Sequence, residues 1–162
     1  MTAQREYLIR VAKGSDVAKV TALWELMAAQ HRAYDDQVWC WSENAPDHWA
    51  AWYRDLLRKR EMVLPVAQTA SGEIAGFAIA SCKDNPGNFT VALAGEVWDV
   101  FVHPDHRRKG LGTALMDWTF HALKLLGAQD VKLHVAIAND DALRFYEKLG
   151  LRPVMCRMYK RL

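Results

Sequence analysis

The sequence predicts one α/β domain spanning residues 1–162, with a mixed, mostly antiparallel sheet of about six to seven strands flanked by about four helices. Three observations predict it. Strand-like runs pair as a hairpin in the first half, which gives antiparallel neighbours. The second half alternates strand, helix, strand, helix, an order that needs a parallel crossover. The 162 residues, 51% hydrophobic and 25% charged, suit a single domain with a large core.

The elements follow in order. Residues 6–12 carry Tyr7, Ile9 and Val11 in alternation and form an opening strand. Ser15 is placed to cap a first helix, in which Val17, Val20, Trp24, Met27 and His31 recur at helical spacing. After a loop of acids and indoles over residues 34–41, Pro46 starts a second helix with Trp49, Trp52, Tyr53 and Leu56 on one face. Residues 62–68 and 73–82 make a hairpin about Ala70-Ser71-Gly72, and residues 83–88 a turn-rich loop. A central strand runs from about Val91 to Val102. Leu111, Ala114, Leu115, Trp118, Ala122 and Leu125 mark one face of a long helix closed by Gly127. A strand over residues 131–135 follows. Asn139 caps the last helix, Gly150 ends it, and a closing strand pair is expected within residues 152–160.

Several function classes are excluded. A formal charge of +2 is too small to imply a nucleic-acid partner, and no apolar run approaches a membrane span. Met1 leads into Thr-Ala-Gln-Arg-Glu without an apolar signal core, so secretion is not expected. Cys40, Cys82 and Cys156 are odd in number and form no CxxC, which fits reduced thiols in a cytoplasm and no structural disulfide. His103 and His106 flank a turn without further ligands, so no metal is expected; His31 and His134 read as core-edge residues.

The stretch from Val97 to Met116 carries the chemistry. A strand and a Pro-marked turn lead into a basic loop, Arg107-Arg108-Lys109, then Gly110 and Gly112, then a helix. Glycines let backbone approach a ligand closely, and the helix start offers unpaired N–H groups and a positive dipole end. This is a site for a pyrophosphate or similar anion. It is not a Walker-A loop, because Lys109 precedes Gly110, nor a dinucleotide fingerprint, because only two glycines are present.

Arg-x-x-Gly-x-Gly, met by Arg107, Gly110 and Gly112, resembles the acyl-CoA loop of the GNAT N-acetyltransferases. Val102-His103-Pro104 matches the Val-x-Pro with which the family's strand commonly ends. Asn139, Ala142, Phe145, Tyr146 and Gly150 match a second family motif, Asn-x-x-Ala-x-x-Phe-Tyr-x-x-x-Gly, at every position. The resemblance covers residues 62–155 well and the N-terminal third in outline.

The resemblance implies a GNAT fold whose two central parallel strands, ending near Val102 and Ala136, splay apart around the pantetheine arm of acetyl-CoA. Backbone groups of Val100, Phe101 and Val102 would pair with that arm like an added strand. Backbone N–H groups near Arg108, Gly110, Gly112 and Thr113 would hold the pyrophosphate, with charge from Arg107, Arg108 and Lys109. Asn139 would touch the arm besides capping its helix, and Tyr146 would protonate the departing thiolate, an exchange between groups of ordinary pKa about 10 and about 8.5.

An acceptor that arrives as ammonium needs a base, and Glu96 and Asp99 are the acidic candidates. Strict alternation puts Glu96, Trp98, Val100 and Val102 on one face and Val97, Asp99 and Phe101 on the other, so the two acids share a face only across a bulge. Glu96 lies six residues before Val102, where the histone-acetyltransferase branch of the family carries its catalytic glutamate. Many other members have Glu-Asp where this chain has Trp98-Asp99. Glu96 is the expected base, with Asp99 and water left open. Asp35, Asp36, Trp39 and Trp41 lie where the family builds its acceptor pocket, to which Trp98 is added, and acid beside indole suits a cationic amine.

The expected activity is acetyl transfer, without a metal, from acetyl-CoA to a primary amine of a small molecule by direct attack in a ternary complex. A protein amine is the alternative acceptor, and a non-catalytic acyl-CoA sensor the alternative function. Neither nucleic acid nor membrane is an expected partner. A homodimer is compatible with the resemblance, since the tryptophan-rich helices would serve as an interface as readily as a core.

Overall fold

The computed structural model describes residues 6–162, and the signal-free reading of the first residues falls outside them. Strand β1 (Tyr7–Val11) lies antiparallel to β3 (Pro65–Thr69), which pairs with β4 (Ile74–Asp84), which pairs with β5 (Leu93–Val102). Strand β6 (Asp130–Leu133) adds to β5 in parallel, giving the order β1-β3-β4-β5-β6. The run expected over residues 62–68 breaks before Pro65. Its first part is a separate strand, β2 (Met62–Val63), on β4.

Helices α1 (Val17–Tyr34) and α2 (Ala45–Leu56) cover one face of the sheet, where Val20, Leu23, Trp24, Met27, Tyr53 and Leu56 bury against Phe77, Ile79 and Phe101. Helix α3 (Leu111–Leu125), the crossover from β5 to β6, covers the other face. Met116 and Leu123 pack there on Ala80, Cys82 and Val97. Helix α4 (Asp140–Lys148) joins that layer through Phe145, Tyr146 and Leu149. Fully burying side chains of this size contributes about 1.5–3 kcal/mol each, which is what fixes the helices to the sheet.

Four expectations are corrected. Ser15 does not cap α1: a 3-10 turn, Gly14–Asp16, leads into it. The buried Asp16 carboxylate accepts from both Arg10 guanidinium nitrogens (2.7 and 2.9 Å) and from Lys13 N (2.8 Å), and the Arg10 bond holds it below the usual carboxylate range. Leu125 is 75% exposed. Leu123 occupies the inward position against Gly95, and two residues on, about 200° round the helix, Leu125 must face out. His134 is exposed rather than at the core edge. Finally, the closing strand pair is absent: residues 151–162 form no strand, and among the described residues the backbone bond that ties them to the rest of the chain is that from Leu151 N to the Tyr146 carbonyl (3.1 Å).

Close approach sets one residue type in the centre. A Cβ on Gly76 would lie 2.8 Å from the Phe101 carbonyl oxygen and 3.1 Å from Leu115 Cδ1. Backbone cannot give way cheaply there. Gly76→Ala is therefore expected to lower stability by about 1–3 kcal/mol, read as a fall of several degrees in Tm by calorimetry.

Candidate active site

The site begins where β5 and β6 part. They pair from Ala94 opposite Asp130 to Val97 opposite Leu133; beyond that point residues 98–102 of β5 keep β4 on one side and no strand on the other. The expected splay is thus present. Its free edge exposes backbone groups that an extended amide-bearing ligand could pair with.

The alternation along β5 is broken at the same place. Asp99 is opposite Ile79 and Val97 is opposite Ala80, so Trp98 is one residue too many and the strand bulges. Cross-strand partners share a face. Glu96, opposite Ser81, and Asp99, opposite Ile79, therefore look toward α1 and α2 together with Phe101, whereas Val97, Val100 and Val102 look toward α3. Strict alternation had set the two acids on opposite faces. The bulge corrects it.

The basic loop sits at the end of β5. Tyr7 Oη bonds His106 Nδ1 (2.9 Å), anchoring the 3-10 turn Pro104–His106 to the first strand. Arg108 and Gly110 both have left-handed backbone (φ 63° and 79°), which suits glycine and strains arginine. Gly110 is the N-cap of α3 and supplies no side-chain acceptor. The first-turn N–H groups of α3, about Gly112 and Thr113, have no acceptor within the helix and are left for an anion. Helix α4 lies against this point, since a Cβ on Gly112 would be 3.4 Å from Phe145 Cζ and 4.0 Å from Val102 Cγ2. Its first turn is in the field of the loop: Arg144, then Arg108 and Arg107, hold the exposed Asp141 carboxyl below its ordinary range. Asn139 caps α4 as expected, with Oδ1 accepting from Ala142 N (3.1 Å).

Arg107 does not project freely. Its Nε donates to the Val102 carbonyl (2.9 Å), its Nη2 donates to Gln30 Oε1 (3.2 Å), and its guanidinium lies 5.1 Å from the Phe101 ring centroid. Lys109 is exposed.

Asp99 and Tyr146 are both removed from water, and the charge of Asp99 reaches the phenol. Burial pushes the Asp99 carboxyl up to about 6, and burial followed by the charge of Asp99 pushes the Tyr146 phenol up to about 12. A carboxylate near 6 is suited to accept a proton at neutral pH, and the phenol stays protonated and able to donate.

A family model for the GNAT acetyltransferases matches residues 20–151. The chain belongs to the GNAT acetyltransferase family. The match extends well into the N-terminal third, where the motif resemblance was only an outline. Among relatives, an uncharacterized N-acetyltransferase of Methanocaldococcus jannaschii is 33% identical over 63% of this chain and 45% of its own length. The chain thus spans under half of that relative. An N-alpha-acetyltransferase of Sulfurisphaera tokodaii is 27% identical over 93% of this chain and 83% of its own. Among solved structures, an aminoglycoside N-acetyltransferase in complex with CoA superposes with a TM-score of 0.74 at 17% identity, covering 96% of this chain and 94% of that one, which shows the shared fold.

In this GNAT chain the N-terminal loop is held more tightly than its composition suggests. Asp35 Oδ1 accepts from Gln37 N (2.9 Å) and Val38 N (3.1 Å), so this carboxylate shapes its own turn. Trp39 packs on His31 at 5.2 Å, and Trp41 Nε1 donates to the Ala28 carbonyl (3.3 Å). From Trp41 an aromatic array runs inward through Trp24 (5.3 Å), Trp49 (5.3 Å) and Trp52 (5.9 Å) to Trp98 (5.8 Å, stacked at 19°). Trp98 thus stands beside Asp99, whereas Asp35 and Trp39 are tied into the loop. Lys83 Nζ lies 4.8 Å from the Trp98 ring centroid. Trp52 and Lys83, which lie against the Trp98 ring, are not among the residues expected there from the sequence. The three-residue spacing of Trp49 and Trp52 is the available signal for Trp52, and it equally describes a core face. Among the described residues no group of His, Cys, Asp and Glu is placed to hold a metal, and no helix is long and apolar enough to cross a membrane.

The raised Asp99 carboxyl fixes the sign of a stability effect. Between the ordinary 3.8 and about 6 the folded state holds the proton more tightly than the unfolded chain, so stability falls as pH rises through that window and stays lower above it. Asp99→Asn is expected to gain up to about 3 kcal/mol over the parent at pH 8, and the gain is expected to shrink toward pH 4, as read from urea midpoints at the two values.

Proposed function

We propose that this GNAT chain transfers an acetyl group from acetyl-CoA to the primary amine of a small molecule by direct attack within a ternary complex. The observation that carries the reading is a desolvated carboxyl, Asp99, on the strand whose edge is unpaired over residues 98–102, with its charge felt at the Tyr146 phenol. The residues present fit the donor: a left-handed loop before an uncapped helix start suits a pyrophosphate, and a bare strand edge suits an amide-bearing arm. Arg108, Lys109, Gly110, Gly112 and Thr113 would hold the pyrophosphate, and Val100 to Val102 with Asn139 the arm. Arg107 would keep or exchange its bond to the Val102 carbonyl as the arm pairs there.

Bound acetyl-CoA supplies a thioester whose carbonyl carbon the acceptor nitrogen attacks. The ammonium proton passes to a carboxylate on the α1–α2 face of β5. Glu96 remains a candidate for that step, and the bulge, burial and neighbouring Tyr146 favour Asp99. Proton uptake has a second effect. It removes the charge that, after burial, holds the Tyr146 phenol up, so Tyr146 becomes a better acid as the thiolate leaves. Tyr146 Oη then gives its proton to the sulfur as the C–S bond breaks, and the second proton of the attacking nitrogen, lost as the amide forms, restores the phenol.

Trp98 and Trp52, stacked and partly exposed, support an acceptor with a cationic or apolar body against indole faces. A peptide α-amine is the second reading, supported by the coverage of the match to the N-alpha-acetyltransferase of Sulfurisphaera tokodaii. A cytoplasmic location belongs to the same proposal, supported by the free thiols of Cys40, Cys82 and Cys156.

Thiol release from acetyl-CoA, measured across polyamines, amino acids, aminoglycosides, lysine peptides and peptides with free N-termini, tests the reading and chooses the acceptor class. Binding of acetyl-CoA by thermal shift without release on any amine would favour a sensor. Tyr146→Phe is expected to bind acetyl-CoA normally and to lose about 100-fold or more in kcat. Unchanged kcat would remove the acid role. In kcat/KM against pH, an ascending limb lost in Asp99→Asn but kept in Glu96→Gln would identify the base.

A further inference from the structure

The α1–α2 face of the sheet ends beyond Trp98 in two exposed lysines that neither the core nor the acid–base chemistry uses. Cross-strand partners share a face, so the register of β4, β5 and β6 lays Ser81, Glu96 and Lys132 side by side, with Lys83 two residues past Ser81 on the same side. Packing agrees with that placement. Cys82, the neighbour of Lys83, and Val131 and Leu133, the neighbours of Lys132, belong to the α3 layer, so both lysines point the other way.

Each ammonium rests against an aromatic ring. Lys83 Nζ lies 4.8 Å from the Trp98 centroid, and Lys132 Nζ lies 5.5 Å from the Phe89 centroid while donating to Asn85 Oδ1 (3.4 Å). Asn85 closes the base of the loop after β4, its N and Nδ2 donating to the Ala92 and Val91 carbonyls (2.8 and 2.9 Å). Rings and loop therefore hold two cations in place. Asp84, Glu96, Asp99 and Asp130 are the acids on these strands, and among the described residues no ion pair joins any of them to either lysine. Lys83 is opposite Ala94 and Asp99 is opposite Ile79, so four residues of β4, roughly 13 Å of strand, separate the levels of the lysine and the desolvated carboxyl. Lys132, opposite Glu96, lies between those levels, and Trp98 with its stacked partner Trp52 fills the interval. One small molecule can span it.

We propose that Lys83 and Lys132 form an anion subsite of the acceptor pocket, so that the acceptor is an amine carrying an acidic group, carboxylate or phosphate, at its far end; the subsite rests on the acetyl-transfer reading of that pocket. The amine lies at the acids of β5, an apolar middle lies along Trp98 and Trp52, and the anion meets two ammonium groups that lack a carboxylate partner. Of the two bodies that indole faces suit, this selects the apolar one. A cation on Trp98 would meet, as a like charge, the Lys83 ammonium already placed over that ring.

Thiol release from acetyl-CoA is compared between ω-amino acids of increasing chain length and their carboxamides, and between aminoalkyl phosphates and the matching amino alcohols. At least one acidic series is expected to exceed its neutral partner in kcat/KM by about tenfold or more, and the better series identifies the anion. Lys83→Gln and Lys132→Gln are expected to cut that acid-to-neutral ratio by about tenfold, and Lys83→Glu to turn the preference toward diamines. A parent that does not distinguish acid from neutral partner, or a preference that both glutamine variants keep, overturns the subsite. Failure of acetyl transfer itself has a different signature. Isothermal titration of the same pairs into the CoA-bound protein reads the preference without turnover: tighter binding of the acid, lost in Lys83→Gln or Lys132→Gln, supports the subsite even where no thiol is released. Equal binding of acid and neutral partner, or binding of neither, overturns it.

Discussion

One extra residue in β5 governs the geometry of the site. In a regular strand beside β4, Glu96 and Asp99 would look into different layers, one toward α1 and α2 and the other into the packing under α3. The bulge at Trp98 resets the alternation and brings both acids to one side, on a strand whose next neighbour, β6, has just ended. Bulges bend a strand and sharpen its twist. Here the bend coincides with the parting of β5 from β6, so the change of face and the opening of the gap are one structural event. On its other side β5 stays paired with β4, where Gly76 leaves the room that a Cβ would take from the Phe101 carbonyl.

Burial then does chemical work that composition alone would not forecast. Asp99 has no salt-bridge partner among the described residues, and what raises its carboxyl is the loss of water. The same loss of water that raises the carboxyl also destabilises the fold above its titration. Arg10 and Asp16 show the contrasting arrangement, in which a buried carboxylate is matched by a bidentate guanidinium and held low. That pair joins β1 to the start of α1, structurally satisfied and chemically quiet.

The legible parts of the molecule were those whose residue types answer a local backbone demand. Gly110 takes a left-handed cap, Asn139 bonds the first turn of α4, and the apolar residues of α1 bury where their spacing puts them. The order of strands and the parallel crossover followed from the order of elements. What was not legible depends on pairing between distant segments. The bulge exists only in the register of β4 against β5, so no residue in β5 announces it. Asp35 carries the charge expected of a cation site while its Oδ1 accepts from its own turn, because an acid in a loop serves either end equally well. Trp52 carried the spacing of a core face and ended on the rim, stacked on a residue 46 positions further along. A closing strand pair was expected within residues 152–160 and no strand forms there. A strand depends on an edge supplied from elsewhere, and the local sequence does not state whether one is offered.

The aromatic array also has an optical side. Of the seven tryptophans, Trp24, Trp39, Trp41, Trp49, Trp52 and Trp98 belong to α1, α2, their loop and β5, whereas Trp118 alone lies in α3. Indoles whose ring centres lie 5.3–5.9 Å apart share excitation, so light absorbed anywhere along the row drains to whichever ring emits at lowest energy. A molecule resting on Trp98 or Trp52 would alter the emission of the whole row, while an anion at the start of α3 would leave it nearly unchanged. The protein thus carries its own spectroscopic label on the α1–α2 side of the sheet.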